Sequence, residues 1–137
     1  MRTELEQDLA ALLIRLTVGG LMLFHGVDKV VGGIAWLPGA LEKNGLPGML
    51  AYGVYLGEVV APLCVGLGIA MRSSAALIVF TMAMAVYLVH PNEVFALGEH
   101  GEYALELHVF YAVGAVVAAL WGPGRFSVPL KGRWAKL

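Results

Sequence analysis

The sequence predicts an all-α integral membrane protein, in which the 137 residues form one four-helix bundle. Hydrophobic residues make up 59% of the chain, and the mean hydropathy is +0.78. Charged residues make up only 14%, whereas a soluble domain of this size carries about a quarter. Apolar runs approach the length of about 20 residues that crosses a hydrocarbon core as a helix. Each of four such runs is therefore predicted to be one membrane span.

The first predicted span covers residues 9–31, and its polar side chains include Arg15, His25 and Lys29. A charge at the bilayer centre costs about 2.5–3.5 kcal/mol on insertion scales, so charged residues in spans normally face the interior of a bundle. At about 3.6 residues per turn, these side chains and Gly26 occupy one sector of about 100°. The span is therefore predicted to have a lipid-facing side and a side that faces other helices.

Three further spans are predicted over residues 49–71, 75–90 and 103–121. The connection before residue 49 is rich in Gly and Pro, and its Trp36 predicts a short segment at the membrane interface, because Trp favours the headgroup level. Pro91 ends the third span, since proline cannot continue a helix. A Gly-Pro-Gly turn after residue 121 ends the fourth span.

The positions of Lys and Arg predict that both termini lie in the cytoplasm, because cytoplasmic loops carry an excess of these residues. In this N-in, C-in orientation, the outer side has Lys29 and Lys43. The cytoplasmic side has Arg2, Arg72, Arg125, Lys131, Arg133 and Lys136. The loops on the outer side are acidic instead.

The same orientation predicts an outward-facing polar pocket between the helices. His25, Lys29, His90 and Glu106 are expected at similar depth, with Glu58 just beneath them. His25 and Glu106 are the candidate catalytic residues, which would handle a proton. The candidate ligand-binding residues are Arg15, Lys29, Glu58, Tyr55, His90 and Phe110, of which the two aromatic residues would form walls. His108 is predicted to point away from the pocket.

Each of these residues also has a structural interpretation that the sequence leaves open. Arg15 and Glu58 could form a buried pair that fixes helix register, as buried ionic groups sometimes do. His25 could make an ordinary hydrogen bond between helices, for instance to Glu106. Lys29 could extend towards the interface. His90 stands at a helix end, where the carbonyl groups favour a cation.

Composition and spacing bear on cofactors and partners. Haem ligated by His25 and His90 is less favoured, because it needs a gap lined by small residues, which the glycines of the first span only partly provide. A metal held by these two residues and Glu106 is less favoured because no tight ligand spacing is present. The lone Cys64 excludes an internal disulfide and a cysteine-based metal cage. The net charge of −1 implies no nucleic-acid partner. The high hydrophobic content predicts that the helices lie in a lipid bilayer.

The chain resembles the DoxX family of small bacterial four-span membrane proteins over nearly its whole length. The most specific elements are His-Gly-x-x-Lys at residues 25–29 and Gly-Pro-Gly-Arg-Phe-Ser at residues 122–127. The other matching features are Arg15 with Gly19-Gly20, Phe24, Gly45-Leu46-Pro47, Gly57-Glu58, Gly66–Gly68 with Arg72, and Glu106. Where the family pattern often continues Ser-Leu-Asp, this chain has Ser127-Val128-Pro129, a departure confined to the tail.

This resemblance implies a four-helix protein of the bacterial cytoplasmic membrane, named after a quinone-linked thiosulfate-oxidising system. We therefore expect a redox-linked subunit of a quinone-linked oxidoreductase system, which binds a quinone or a similar amphipathic molecule. Because no redox centre is visible in the chain, electrons would come from a redox partner or a bound cofactor. The alternative is a non-catalytic scaffold that docks a partner, in which buried ionic residues fix helix packing. A homodimer is compatible with either function.

Overall fold

The computed structural model describes residues 3–128. Within this range, the regular structure is helical apart from one isolated β-bridge between Leu97 and Tyr103, which confirms the all-α prediction. The helices are α1 (Glu4–Gly32), α2 (Leu37–Lys43), α3 (Gly48–Leu67), α4 (Met71–Val89) and α5 (Glu106–Trp121). Arg2 and the basic residues from 129 onward, on which the predicted orientation partly depends, lie outside the described residues.

Three helices of residues 3–128, namely α1, α3 and α4, are long and apolar enough to cross a membrane, by length and composition. Helix α5 is apolar as well, but its 16 residues extend only about 24 Å. The fourth span therefore stays a prediction. Helix α2, only seven residues long, occupies the predicted interfacial segment.

Two helix boundaries differ from the predicted spans for reasons visible in the contacts. Helix α1 begins at Glu4, because Thr3 and Glu6 form a capping box that satisfies exposed backbone N–H groups before the apolar run starts. Helix α5 begins at Glu106 rather than at residue 103. Tyr103 belongs to the preceding loop, where its hydroxyl donates a hydrogen bond of 2.8 Å to the Val94 carbonyl.

Helix α3 changes its winding twice along its length. It starts as a 3₁₀ helix over Gly48–Tyr52 and contains a π turn over Leu56–Val60. Pro62 explains the π turn, because proline has no N–H and its ring crowds the carbonyl four residues earlier, which is that of Glu58. The N–H of Ala61 donates to the Leu56 carbonyl, as π winding requires. Glu58 thus stands on locally widened backbone of a kind that is frequent at functional sites.

The long helices pack around a shared apolar core. Helix α1 contacts α3 and α5, and α4 contacts the same two helices. The core takes side chains from each of them, including Met22, Val65, Ile78 and Ala115, which are almost fully buried. A second, smaller cluster packs α2 against the start of α3 through Leu37, Leu41, Ile34 and Ala51.

Glycine allows α1 to approach α3 closely. A methyl group on Gly26 would overlap the carbonyl oxygen of Glu58. A methyl group on Gly19 would lie 2.5 Å from the carbonyl oxygen of Pro62. Small residues permit such contacts in membrane proteins, where backbones approach closely without an aqueous hydrophobic drive. The close contact places Glu58 directly beside the polar side of α1.

Candidate functional site

A cavity of about 470 Å³ lies among the helices, at the end where α1 and α4 finish and where α3 and α5 begin. Most of its wall is apolar and comes from α2, α3 and α4. Its polar side chains are His25, Lys29, Glu58, Thr81, His90, His108 and Tyr111. A mostly apolar cavity with a few convergent polar groups is typical of small-molecule sites.

The cavity reaches the outer apolar surface of the helices. Leu56 from α3 and Phe80 from α4 line it, yet Phe80 is 63% exposed and Leu56 is also exposed. In a bilayer, side chains exposed at this position face acyl chains. A molecule dissolved in lipid could therefore reach the cavity sideways, between α3 and α4.

One ion pair lies in the wall of the cavity. Lys29 Nζ donates to Glu58 Oε2 at 2.5 Å, and the Glu58 side chain is buried. The Tyr55 hydroxyl donates to the Lys29 backbone carbonyl at 3.3 Å, which ties the end of α1 to α3. Tyr55 thus contacts Lys29 without lining the cavity itself.

Aromatic and imidazole rings form the polar end of the cavity. The rings of His25 and Tyr111 meet edge to face, with centroids 5.8 Å apart. The rings of His90 and His108 are 5.2 Å apart, and His90 Nδ1 lies 3.0 Å from Glu93 Oε2. His108 Nδ1 is buried and has no hydrogen-bond partner within residues 3–128. This end can donate hydrogen bonds to, and exchange protons with, a bound molecule.

The structure brings four of the predicted residues to the cavity, namely His25, Lys29, Glu58 and His90. The prediction that His108 points away from the pocket is wrong, since His108 lines the wall.

The prediction that Glu106 and Phe110 of α5 face the pocket is wrong as well. Glu106 is exposed and Phe110 is 75% exposed, and neither lines the cavity. A signal for the correct face was present in the sequence, because Gly114 and Ala115 pack inward and small residues mark helix contacts. The same face carries Tyr111.

Arg15 lies away from the cavity and holds helix ends together. Its side chain is buried, with 1% of the residue exposed. Its guanidinium donates to the backbone carbonyls of Pro123, of Gly66 at 2.9 Å and of Phe126 at 3.1 Å. Of the interpretations that the sequence left open, the Arg15–Glu58 pair is not formed, because Glu58 binds Lys29, which lies about 21 Å along α1 from Arg15.

The metal site considered from the sequence is not assembled in this arrangement. Within residues 3–128 no group of three or more His, Cys, Asp or Glu side chains is placed to hold a metal ion. The ligand set of His25, His90 and Glu106 is not assembled, since Glu106 lies off the cavity wall.

The family model of DoxX matches residues 10–91, which is more than half of the chain. The chain belongs to the DoxX family. The match includes the cavity residues His25, Lys29, Glu58 and His90 of this DoxX protein, and it ends before α5 begins. No curated protein and no solved structure gives a significant match to the chain. Family membership and the apolar helices together identify the DoxX chain as a membrane protein.

The Lys29–Glu58 pair of the DoxX chain supports a first prediction. Replacing Lys29 by methionine leaves a buried carboxylate without its partner, so the K29M variant should lose about 3–5 kcal/mol of folding free energy. The double variant K29M/E58Q should regain most of this loss, because the glutamine is neutral. Reversible unfolding of the four proteins of this double-mutant cycle in detergent measures the coupling. Additive losses from K29M and E58Q would contradict a stabilising pair.

Proposed function

We propose that this DoxX protein binds a quinone or a similar amphipathic small molecule in the cavity, as a redox-linked subunit of the membrane. The observation that carries the proposal is an apolar cavity of about 470 Å³ that reaches the lipid-facing surface and ends in unpartnered polar groups. A quinone suits this shape, because its ring and tail are apolar and its carbonyl oxygens accept hydrogen bonds. Tyr111 and His25 can supply such bonds at the polar end.

The proposal includes electron exchange with a redox partner, as in a quinone-linked oxidoreductase system. The chain supplies the groups that bind and position the quinone and that hold a proton near its oxygen atoms. His25 is the first candidate for this proton, because it lines the cavity and contacts the buried Tyr111 ring. Glu106, the second predicted proton carrier, lies at the start of α5 and would act only on a molecule outside the cavity.

We further propose that α1, α3, α4 and α5 each cross the bacterial cytoplasmic membrane, with both termini in the cytoplasm. The contacts around Arg125 support this orientation. Arg125 Nε lies 3.2 Å from Asp8 Oδ2, and the N–H of Val128 donates to the Leu67 carbonyl at 2.9 Å, so three chain segments meet at one end. Arg72 follows the turn after Leu67 at this same end, so Arg72 and Arg125 lie together, as expected if this end faces the cytoplasm.

The cavity can be tested with a neutral quinone and the intrinsic fluorescence of Trp36, which lines it. In lipid nanodiscs, 2-methyl-1,4-naphthoquinone should quench this fluorescence in a saturable way, and the W36F variant should lose the saturable part. Trp121 serves as an internal reference, since it bonds to the Gln7 carbonyl at the opposite end of the helices. Saturation that persists in W36F would place the binding elsewhere.

The His25→Ala variant should weaken binding of this quinone about tenfold, equivalent to about 1.4 kcal/mol and to the loss of one hydrogen bond. His100→Ala is the matched control, because His100 lies in the loop before α5 and does not line the cavity. Quinone affinity that is equal in both variants would remove His25 from the site.

The scaffold function is the second candidate, and Arg15 favours it. This buried charge binds only backbone carbonyls among residues 3–128, as expected of an ionic group that fixes helix packing. Co-purification of a soluble redox enzyme with the DoxX protein, without saturable quinone binding, would support the scaffold. A homodimer would be compatible with both functions.

A further inference from the structure

The charge balance of the cavity wall is uneven. Within residues 3–128 the acidic side chain on this wall is Glu58, and Lys29 holds it at 2.5 Å. The pair cancels its own charge and leaves no free carboxylate facing the cavity from the described part of the chain. The remaining titratable side chains on the wall are one tyrosine and three imidazoles: Tyr111, His25, His90 and His108.

These imidazoles differ in what faces them. His90 has a carboxylate beside it, since its Nδ1 lies 3.0 Å from Glu93 Oε2. His108 has no such partner, and its Nδ1 is buried without a hydrogen bond within residues 3–128. His25, His90 and Glu93 lie close enough to His108 for their charges to act on it. The Glu93 carboxylate lies against His90, and within residues 3–128 no carboxylate forms an ion pair with His108.

Tyr111 adds a donor at the same end. Its side chain is buried, with 7% of the residue exposed, and it lines the cavity. Its ring contacts that of His25, and its hydroxyl has no hydrogen-bond partner among the described residues. A hydroxyl without a partner in the protein gains a hydrogen bond from an acceptor that arrives with the ligand.

We infer that the cavity prefers a quinone-type headgroup with a negatively charged oxygen, which His108 neutralises once it is protonated and to which His25 and Tyr111 donate. The inference rests on the proposed function and narrows its substrate class. An anionic oxygen brings a free negative charge, which the described part of the wall does not have. Hydrogen bonds to a charged acceptor are also stronger than those to a neutral carbonyl. Because imidazole gains its proton between about pH 8 and pH 5, the preference should grow as the pH falls.

Two matched probes test the inference on the full chain in uncharged lipid nanodiscs. One is 2-hydroxy-1,4-naphthoquinone, which is an anion from pH 6 to pH 8, and the other is the neutral 2-methyl analogue. Lowering the pH from 8 to 6 should raise the affinity for the anionic probe about tenfold and leave that for the neutral probe within about twofold. Equal pH dependence of the two probes would overturn the inference while the proposed function stands. Binding of neither probe would overturn both.

The variant His108→Gln keeps a polar side chain but cannot become charged. We expect it to remove most of the pH dependence for the anionic probe and to lower its affinity at pH 6 about tenfold. The variant His100→Gln should behave as the unmodified protein, because His100 does not line the cavity. Thermal unfolding of both variants confirms that each is folded. Full pH dependence in a folded H108Q protein would overturn the role of His108.

Discussion

Replacing Gly26 by alanine should destabilise the protein more than any other exchange of a single hydrogen for a methyl group in α1. The added methyl group would overlap the Glu58 carbonyl oxygen and lie 2.7 Å from a Val59 methyl group. A backbone oxygen on a packed helix cannot rotate aside, so α1 and α3 must separate. Overpacking of this kind costs about 1–3 kcal/mol and sometimes more. Thermal unfolding in detergent should show a correspondingly lower midpoint for the G26A protein.

Gly20 provides the matched control on the same helix. A methyl group on Gly20 meets no atom within 4 Å. Alanine is favoured over glycine in a helix by about 0.5–1 kcal/mol, so G20A should be neutral or slightly stabilising. The two variants therefore differ in the sign of their effect although their chemistry is identical. Midpoints that shift equally in G20A and G26A would contradict the close contact between α1 and α3.

The G26A variant also tests whether the cavity depends on the packing of α1 against α3. Gly26 of α1 packs against the backbone of Glu58 in α3, and the Glu58 side chain pairs with Lys29 of α1. Separating the two helices should therefore lengthen this ion pair. We therefore expect G26A to weaken saturable quinone binding by more than about tenfold, even where the protein still folds. Intact binding in G26A would show that the cavity does not depend on the approach of the two helices.

Much of the cavity could be predicted from the sequence, because depth in the membrane follows from position along an apolar run. Counting residues from the span ends predicts that His25, Lys29, Glu58 and His90 lie in adjacent layers, and all four do line one cavity. Counting works here because a helix advances by a fixed rise of about 1.5 Å per residue.

Rotation about the helix axis was harder to predict than depth. Helix α5 is apolar on both sides, so its periodicity does not distinguish the packed face from the lipid-facing one. The charge of Glu106 suggested the wrong side, whereas Gly114 and Ala115 mark the packed one. Polar residues at a helix start are also compatible with an interface, and Glu106 is the first residue of α5.

The groups that bind a buried charged side chain also do not follow from the sequence. A buried arginine can be satisfied by backbone carbonyls, and such carbonyls are present at every helix end. Their position depends on how the Gly-Pro-Gly turn at residues 122–124 folds back over α1, which no periodicity reveals. Glu58, the acidic partner that the sequence offers for Arg15, pairs with Lys29 instead.

Removing Arg15 should have the largest effect on stability. Its guanidinium joins the end of α3, through Gly66, to the segment after α5, through Pro123 and Phe126. Truncation to alanine leaves these carbonyls without their donor and a gap beside Gly68, whose left-handed backbone lies next to the guanidinium. Hydrogen bonds to charged groups contribute about 1.5–3 kcal/mol each, so R15A should lose at least about 4 kcal/mol.

Two further variants distinguish a structural role of Arg15 from the predicted ligand-binding one. R15K can donate to the same carbonyls but lacks the planar fork, so it should recover only part of the lost stability. Arg125→Ala removes an exposed guanidinium that pairs with Asp8, and an exposed pair contributes about 0–1 kcal/mol. If R15K unfolds at the midpoint of the unmodified protein but loses quinone binding, Arg15 acts on the ligand. A lower midpoint with quinone affinity retained by the folded fraction would instead identify Arg15 as the residue that holds the helix ends together, since its contacts lie far from the cavity.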